Sequence, residues 1–117
     1  MTVKDFILKI CVLGAGALGC AVGGVLTEAG HEVWLINRHA AHVEAMVQRG
    51  LVLRTGGVDR TVLVRAAISA AGVDSASGPA DLLIVLVKSF HTADAMRSAV
   101  SLVGPQTLGL SFQNGLG

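Results

Sequence analysis

Ile10-Cys11-Val12-Leu13-Gly14-Ala15-Gly16-Ala17-Leu18-Gly19 is a short apolar run that breaks into a glycine-rich turn and then into helical spacing. Glycines at 14, 16 and 19 spell G-x-G-x-x-G, and each has a separate physical task. Gly14 lets the chain leave a strand through a tight turn. Gly16 has no Cβ, so a pyrophosphate can approach the backbone. Gly19 lets the new helix pack hard against the strand before it. The N–H groups and positive dipole end of that helix then face the phosphates. Glycine-rich turns that bind nothing are common, but this one follows a β-branched run and precedes amphipathic spacing. It reads as a dinucleotide cradle formed by Gly14, Ala15, Gly16, Ala17, Leu18 and Gly19.

Outward from the turn, strand and helix patterns alternate. Ile7 to Leu13 is apolar without alternation, the pattern of a strand buried on both faces. Leu18, Ala21, Val22, Val25, Leu26 and Ala29 form the stripe of the first helix, with Gly30 as its stop. Val33 to Ile36 is the second strand and ends in Asn37-Arg38. A second helix is expected over Ala40 to Arg49, with Val43, Met46 and Val47 inward, closed by Gly50. Leu51 to Arg54 and Arg60 to Val64 flank Gly56-Gly57 and predict a β-hairpin. Residues 66–80 read as the least structured part. Leu82 to Val87 is a central parallel strand ending at Lys88. A helix over His91 to Val103 is expected to use Ala95, Met96, Ala99, Val100 and Val103. Thr107 to Phe112 is the last strand, running into Gln113-Asn114-Gly115.

This order predicts an α/β fold: a Rossmann-like parallel sheet with helices on both faces. Right-handed crossovers bring the carboxyl ends of the strands to one edge, where such sheets bind ligands. One domain over residues 1–117 is expected, with no repeat or linker.

Composition removes other classes. The chain of 117 residues is 52% hydrophobic and 15% charged, so it can build a core. A net charge of +1, with nine scattered Lys and Arg, leaves no nucleic-acid footprint, and 3% aromatics offer no base-stacking surface. Cys11 and Cys20 read as buried small hydrophobes of a reducing compartment. The uncharged run Ile10 to Leu26 imitates a membrane span, but it is too short and carries too many glycines. A soluble cytoplasmic chain without membrane contact is expected.

Four strand ends carry the candidate chemistry. An NAD-preferring domain places Asp or Glu near Asn37, where a carboxylate accepts the ribose 2′-OH and repels a 2′-phosphate. Asn37 lacks that charge, and Arg38 can grip a phosphate with two donors, so NADP(H) is the expected cofactor. The alternative for Arg38 is a solvated arginine at a helix start. Lys88 closes an apolar strand at the nicotinamide edge, although a lysine there can also simply reach solvent. Asn114 offers an amide toward cofactor or substrate, unless Asn114-Gly115 is only a turn. His39 can add weakly to the grip of Arg38 on a 2′-phosphate, although His39 and His42, three apart, read as a solvated helix face. No metal set and no nucleophile stand out.

Together, GAGALG at 14–19, AGHEVWLINR at 29–38, LIVLVKSFHT at 83–92 and QNGLG at 113–117 resemble the N-terminal domain of the ketopantoate reductase (2-dehydropantoate 2-reductase) family. The resemblance spans nearly the whole chain, and four motifs in this order are specific where any one is ambiguous. It implies NADPH at Gly14, Gly16, Ala17, Leu18, Gly19 and Arg38, with Lys88 near the nicotinamide ribose and Asn114 near both cofactor and substrate. It implies hydride transfer to the keto carbon of ketopantoate, a small 2-oxoacid, giving pantoate for pantothenate synthesis.

The same resemblance places the lysine that protonates the new alkoxide in a helical second domain. No catalytic residue is therefore expected within 1–117. The chain is expected to be a fragment, its sheet incomplete at the C-terminal end and its last strand free to pair with another copy as a homodimer. Other readings are a stand-alone NADP-binding regulatory module, or the cofactor domain of another two-domain dehydrogenase acting on a sugar acid or polyol phosphate.

Overall fold

The computed structural model describes residues 7–14, 16–73, 76, 78–86, 97 and 99–111. Strand β1 (Lys9–Leu13) leads through the glycine turn into helix α1 (Ala17–Glu28), then β2 (Glu32–Ile36) and α2 (Ala40–Arg49). A hairpin of β3 (Leu51–Thr55) and β4 (Val58–Val62) follows, then β5 (Arg65–Ala67), β6 (Leu82–Val85) and β7 (Leu108–Ser111). Five strands form one parallel sheet in the order β5-β2-β1-β6-β7, and β3 and β4 pair antiparallel by themselves. The expected Rossmann-like α/β fold is present.

Alternation along the strands splits the core in two. Ile10 and Val12 of β1, Val33 and Leu35 of β2 and Ile84 of β6 share one face with Cys20 of α1 and with Val43 and Met46 of α2. Two successive crossovers in the same direction, from β1 to β2 and from β2 to β5, put both helices on that face, as crossovers of one hand must. Cys11, Leu13, Ile36, Leu83 and Val85 face the other way, against Ala70, Val73, Ala80, Ala99 and Leu102. Burial pushes the Cys11 thiol up to about 11, so it stays a neutral, unreactive core atom.

Several boundaries differ from the sequence reading. β1 begins at Lys9 rather than Ile7, and Ile7 and Leu8 are exposed. Lys9 is buried and keeps its charge satisfied by donating from Nζ to the Gly78 carbonyl at 2.7 Å. β2 starts one residue early, at Glu32. Segment 66–80, expected to lack structure, contributes β5 and a 3-10 turn at Ala70–Gly72. Three residues are too few to show a period, and β5 exists because its backbone completes the ladder from β2, pairing Trp34, Leu35 and Ile36 with Arg65, Ala66 and Ala67. Most of the helix expected over 91–103 lies outside the described residues. Its end is a 3-10 turn, Val100–Leu102, with Ala99 and Leu102 buried and Val100 and Val103 exposed.

The largest correction concerns α1. Leu18, Ala21, Val25 and Ala29 are exposed, and only Val22 and Leu26 of the expected stripe pack against the core. The buried face is Gly19, Cys20, Gly23 and Gly24. A Cβ on Gly23 would lie 2.3 Å from Cδ2 of Leu35, and one on Gly24 would lie 2.9 Å from both terminal carbons of Leu53. The helix thus sits flush on β2 and against the hairpin, closer than any side chain allows. Arg60 of β4 ties the two together, donating to both oxygens of Glu28 at 2.5 and 2.8 Å and holding that carboxyl below its usual value. In α2, Val43 and Met46 are buried as expected, whereas Val47 is exposed.

Candidate functional site at the carboxyl edge of the sheet

Register brings the strand ends level. Leu13 lies beside both Ile36 and Val85, and Ile36 lies beside Ala67. The residues that follow continue the ladder by one bond each. Gly14 donates to Ile36, Asn37 to Ala67, and Leu86 to Leu13, at 3.1, 3.0 and 2.9 Å. The chain builds outward from β1 to β2 and β5, then returns to β6 on the other side of β1. That reversal opens a crevice above β1, where open α/β sheets hold their ligands.

The glycine turn occupies the crevice. Gly14 has φ +85°, a conformation that excludes most side chains. A Cβ on Gly19 would approach Gly14 O at 3.1 Å and Val12 Cγ1 at 3.3 Å, the tight helix–strand contact that the motif demands. Gly16 is different. It is exposed, its φ of −79° and ψ of −155° are extended, and a Cβ there would meet nothing within 4 Å. No atom of the described protein explains the missing side chain. Gly16 also leaves the first turn of α1 without a side-chain cap, and that turn has no acidic residue. An anion at this point meets the positive end of the helix and no competing carboxylate.

At the end of β2, Arg38 is exposed, as are His39 and His42. Asn37 is occupied more than its spacing suggested. Its Oδ1 accepts the His39 N–H at 2.8 Å and its Nδ2 lies 3.1 Å from Nδ1 of His42. His39 is the residue before α2 rather than part of it, so the two histidines do not form the solvated helix face expected. His42 also lines a groove of about 510 Å³ with Gly16, Ala17, Cys20 and the β3 segment from Leu51 to Arg54. Sequence reasoning missed this histidine. The one signal was its place five residues after an asparagine at a strand end. Ala15, Lys88 and Asn114 lie outside the described residues. Among the described residues, no cluster of His, Cys, Asp or Glu fits a metal ion, and no helix is long and apolar enough to cross a membrane.

A parallel sheet with its switch point at β1 and β6, and a G-x-G-x-x-G turn in the crevice, defines a Rossmann-type domain of the kind found in nicotinamide-dependent dehydrogenases. The chain belongs to the ketopantoate reductase PanE/ApbA family, whose profile matches residues 10–117. It is 41% identical over 110 residues to the 2-dehydropantoate 2-reductase of Pyrococcus horikoshii, covering 94% of this chain and 34% of that enzyme. A PanE/ApbA family ketopantoate reductase from Ralstonia eutropha JMP134 superposes with a TM-score of 0.79 at 40% identity, covering 92% of this chain and 35% of that one. D-mandelate dehydrogenase, solved with NADH and anilino(oxo)acetate, superposes with a TM-score of 0.81 at 29% identity, over 94% of this chain and 35% of that one. The chain therefore spans about a third of the length of these oxidoreductases.

Proposed function

We propose that this chain is the NADPH-binding part of a 2-dehydropantoate 2-reductase, serving the reduction of ketopantoate to pantoate for pantothenate synthesis. The observation that carries the reading is Gly16, a position with room for a side chain, no conformational need for glycine, and a place at the uncapped end of α1. The pyrophosphate would rest there, against the first turn from Ala17 to Gly19, with Ala15 in the same turn. Asn37 holds the loop that presents Arg38, and Arg38 grips the 2′-phosphate. Lys88 and Asn114 are assigned to the nicotinamide side, Asn114 also to the substrate. Bound NADPH supplies the hydride, and the chain's part is to orient it.

Calorimetric titration with NADPH and NADH tests the cofactor directly. A charge-assisted hydrogen bond contributes about 1.5–3 kcal/mol, and each 1.4 kcal/mol is about tenfold in affinity. Arg38→Ala is therefore expected to weaken NADPH by about one to two orders of magnitude and to leave NADH nearly unchanged. Equal losses for both would show that Arg38 does not read the 2′-phosphate. The NADH complex of D-mandelate dehydrogenase favours a second reading, an NADH-dependent reductase of another 2-oxoacid. Tighter binding of NADH than of NADPH by the parent chain would select it.

Reduction also needs a proton for the new alkoxide, and general acid catalysis is worth about 10²–10⁴-fold. In the family reading that acid belongs to the second domain. The 117-residue chain alone is expected to bind NADPH weakly and to leave ketopantoate unreduced. Oxidation of NADPH dependent on added ketopantoate, followed by its absorbance, would overturn that division of labour.

A further inference from the structure

The contact between Asn37 and His42 fixes a proton. Because Oδ1 of Asn37 accepts the His39 N–H, its Nδ2 is the atom turned toward the imidazole. A carboxamide nitrogen only donates, so Nδ1 of His42 accepts and the neutral ring carries its hydrogen on Nε2. The loop thereby holds the ring in one tautomer, with an N–H left on the side away from Asn37. That ring lines the same groove as Gly16 and Ala17, where the pyrophosphate is assigned, and it follows the loop that carries Arg38. Arg54, which also lines the groove, is engaged by Asp59 at 2.7 and 3.2 Å. Among the described residues, no carboxylate lines the groove itself.

We infer that His42 reads the ribose 2′-phosphate of the dinucleotide together with Arg38, as a second specificity-determining residue. This role rests on the cofactor reading of the glycine turn. Arg38 supplies charge from an exposed side chain. His42 supplies a donor whose direction is set in advance by Asn37, so little order is lost when the phosphate arrives.

Two variants of the whole chain, His42→Phe and His42→Gln, test the assignment by titration with NADPH and NADH. Phenylalanine keeps the ring's bulk and removes both nitrogens. Glutamine keeps an acceptor for Asn37 and a donor for the phosphate. His42→Phe is expected to weaken NADPH about tenfold and leave NADH within about twofold, and His42→Gln is expected to restore most of the NADPH affinity. Losses shared by both cofactors, no loss at all, or no recovery with glutamine would each overturn the role of His42. Arg38→Ala, run beside them, separates the two levels. If it discriminates between the cofactors and His42→Phe does not, only the histidine assignment fails. If Arg38→Ala does not discriminate, the assignment of the 2′-phosphate to this loop fails, and with it the role of His42. Absence of all binding to the parent chain would overturn the cofactor reading of the glycine turn.

Discussion

Gly16→Val is expected to abolish binding of both NADPH and NADH while leaving the chain folded. The extended backbone at Gly16 is open to any residue, and a Cβ there would touch nothing within 4 Å, so folding does not require glycine. What a side chain would exclude is a pyrophosphate lying across the turn. Two or more charge-assisted contacts at about 1.5–3 kcal/mol each amount to at least a hundredfold in affinity. Gly19→Val is the contrast, because its Cβ would crowd Gly14 O and Val12 and so disturb the strand–turn–helix joint itself. Calorimetry and circular dichroism together distinguish the two. Intact NADPH affinity in a folded Gly16→Val chain would remove the turn from the site.

The second large effect lies behind the site. Leu35 is fully buried, and it occupies the space that the missing side chain of Gly23 leaves. Leu35→Ala opens a cavity and is expected to cost about 2–5 kcal/mol. Gly23→Val fills space that is already taken and is expected to cost about 1–3 kcal/mol by overpacking. Because the two residues share one volume, the double variant should be more stable than the sum of the single losses predicts. Urea unfolding curves of the four chains measure this coupling. Strict additivity would mean that Gly23 and Leu35 do not compete for the same space.

What was legible in the sequence was what glycine and pattern encode locally. The hairpin declared itself through Gly56-Gly57, both of which take left-handed φ values of +59° and +81°. Helix α2 announced its own bounds, because Gly50 stops it and Val43 and Met46 mark its inner face. β5 was illegible because Arg65–Ala67 has no pattern of its own and is specified by the neighbour it pairs with. The inward face of α1 was misread for a related reason. Apolar periodicity points to the residues that most need burial, whereas this helix buries the residues that allow the closest approach. At the proposed site, type and spacing nominate the glycine turn and Arg38. His42 could not, since its place depends on how the Asn37 side chain folds back on the loop.

That glycine face also bears on where the helix gets its order. Twelve residues with glycine at 19, 23 and 24 form a poor helix in isolation, since each interior glycine costs about 1 kcal/mol relative to alanine and peptides this short are marginal in water even when rich in alanine. Its coiling is thus borrowed from Leu35 beneath it and from Leu51, Leu53 and Arg60 beside it. The N–H groups that would greet a phosphate are aimed by residues two and three turns away, so the N-terminal end of the helix is only as firm as the grip on its far half.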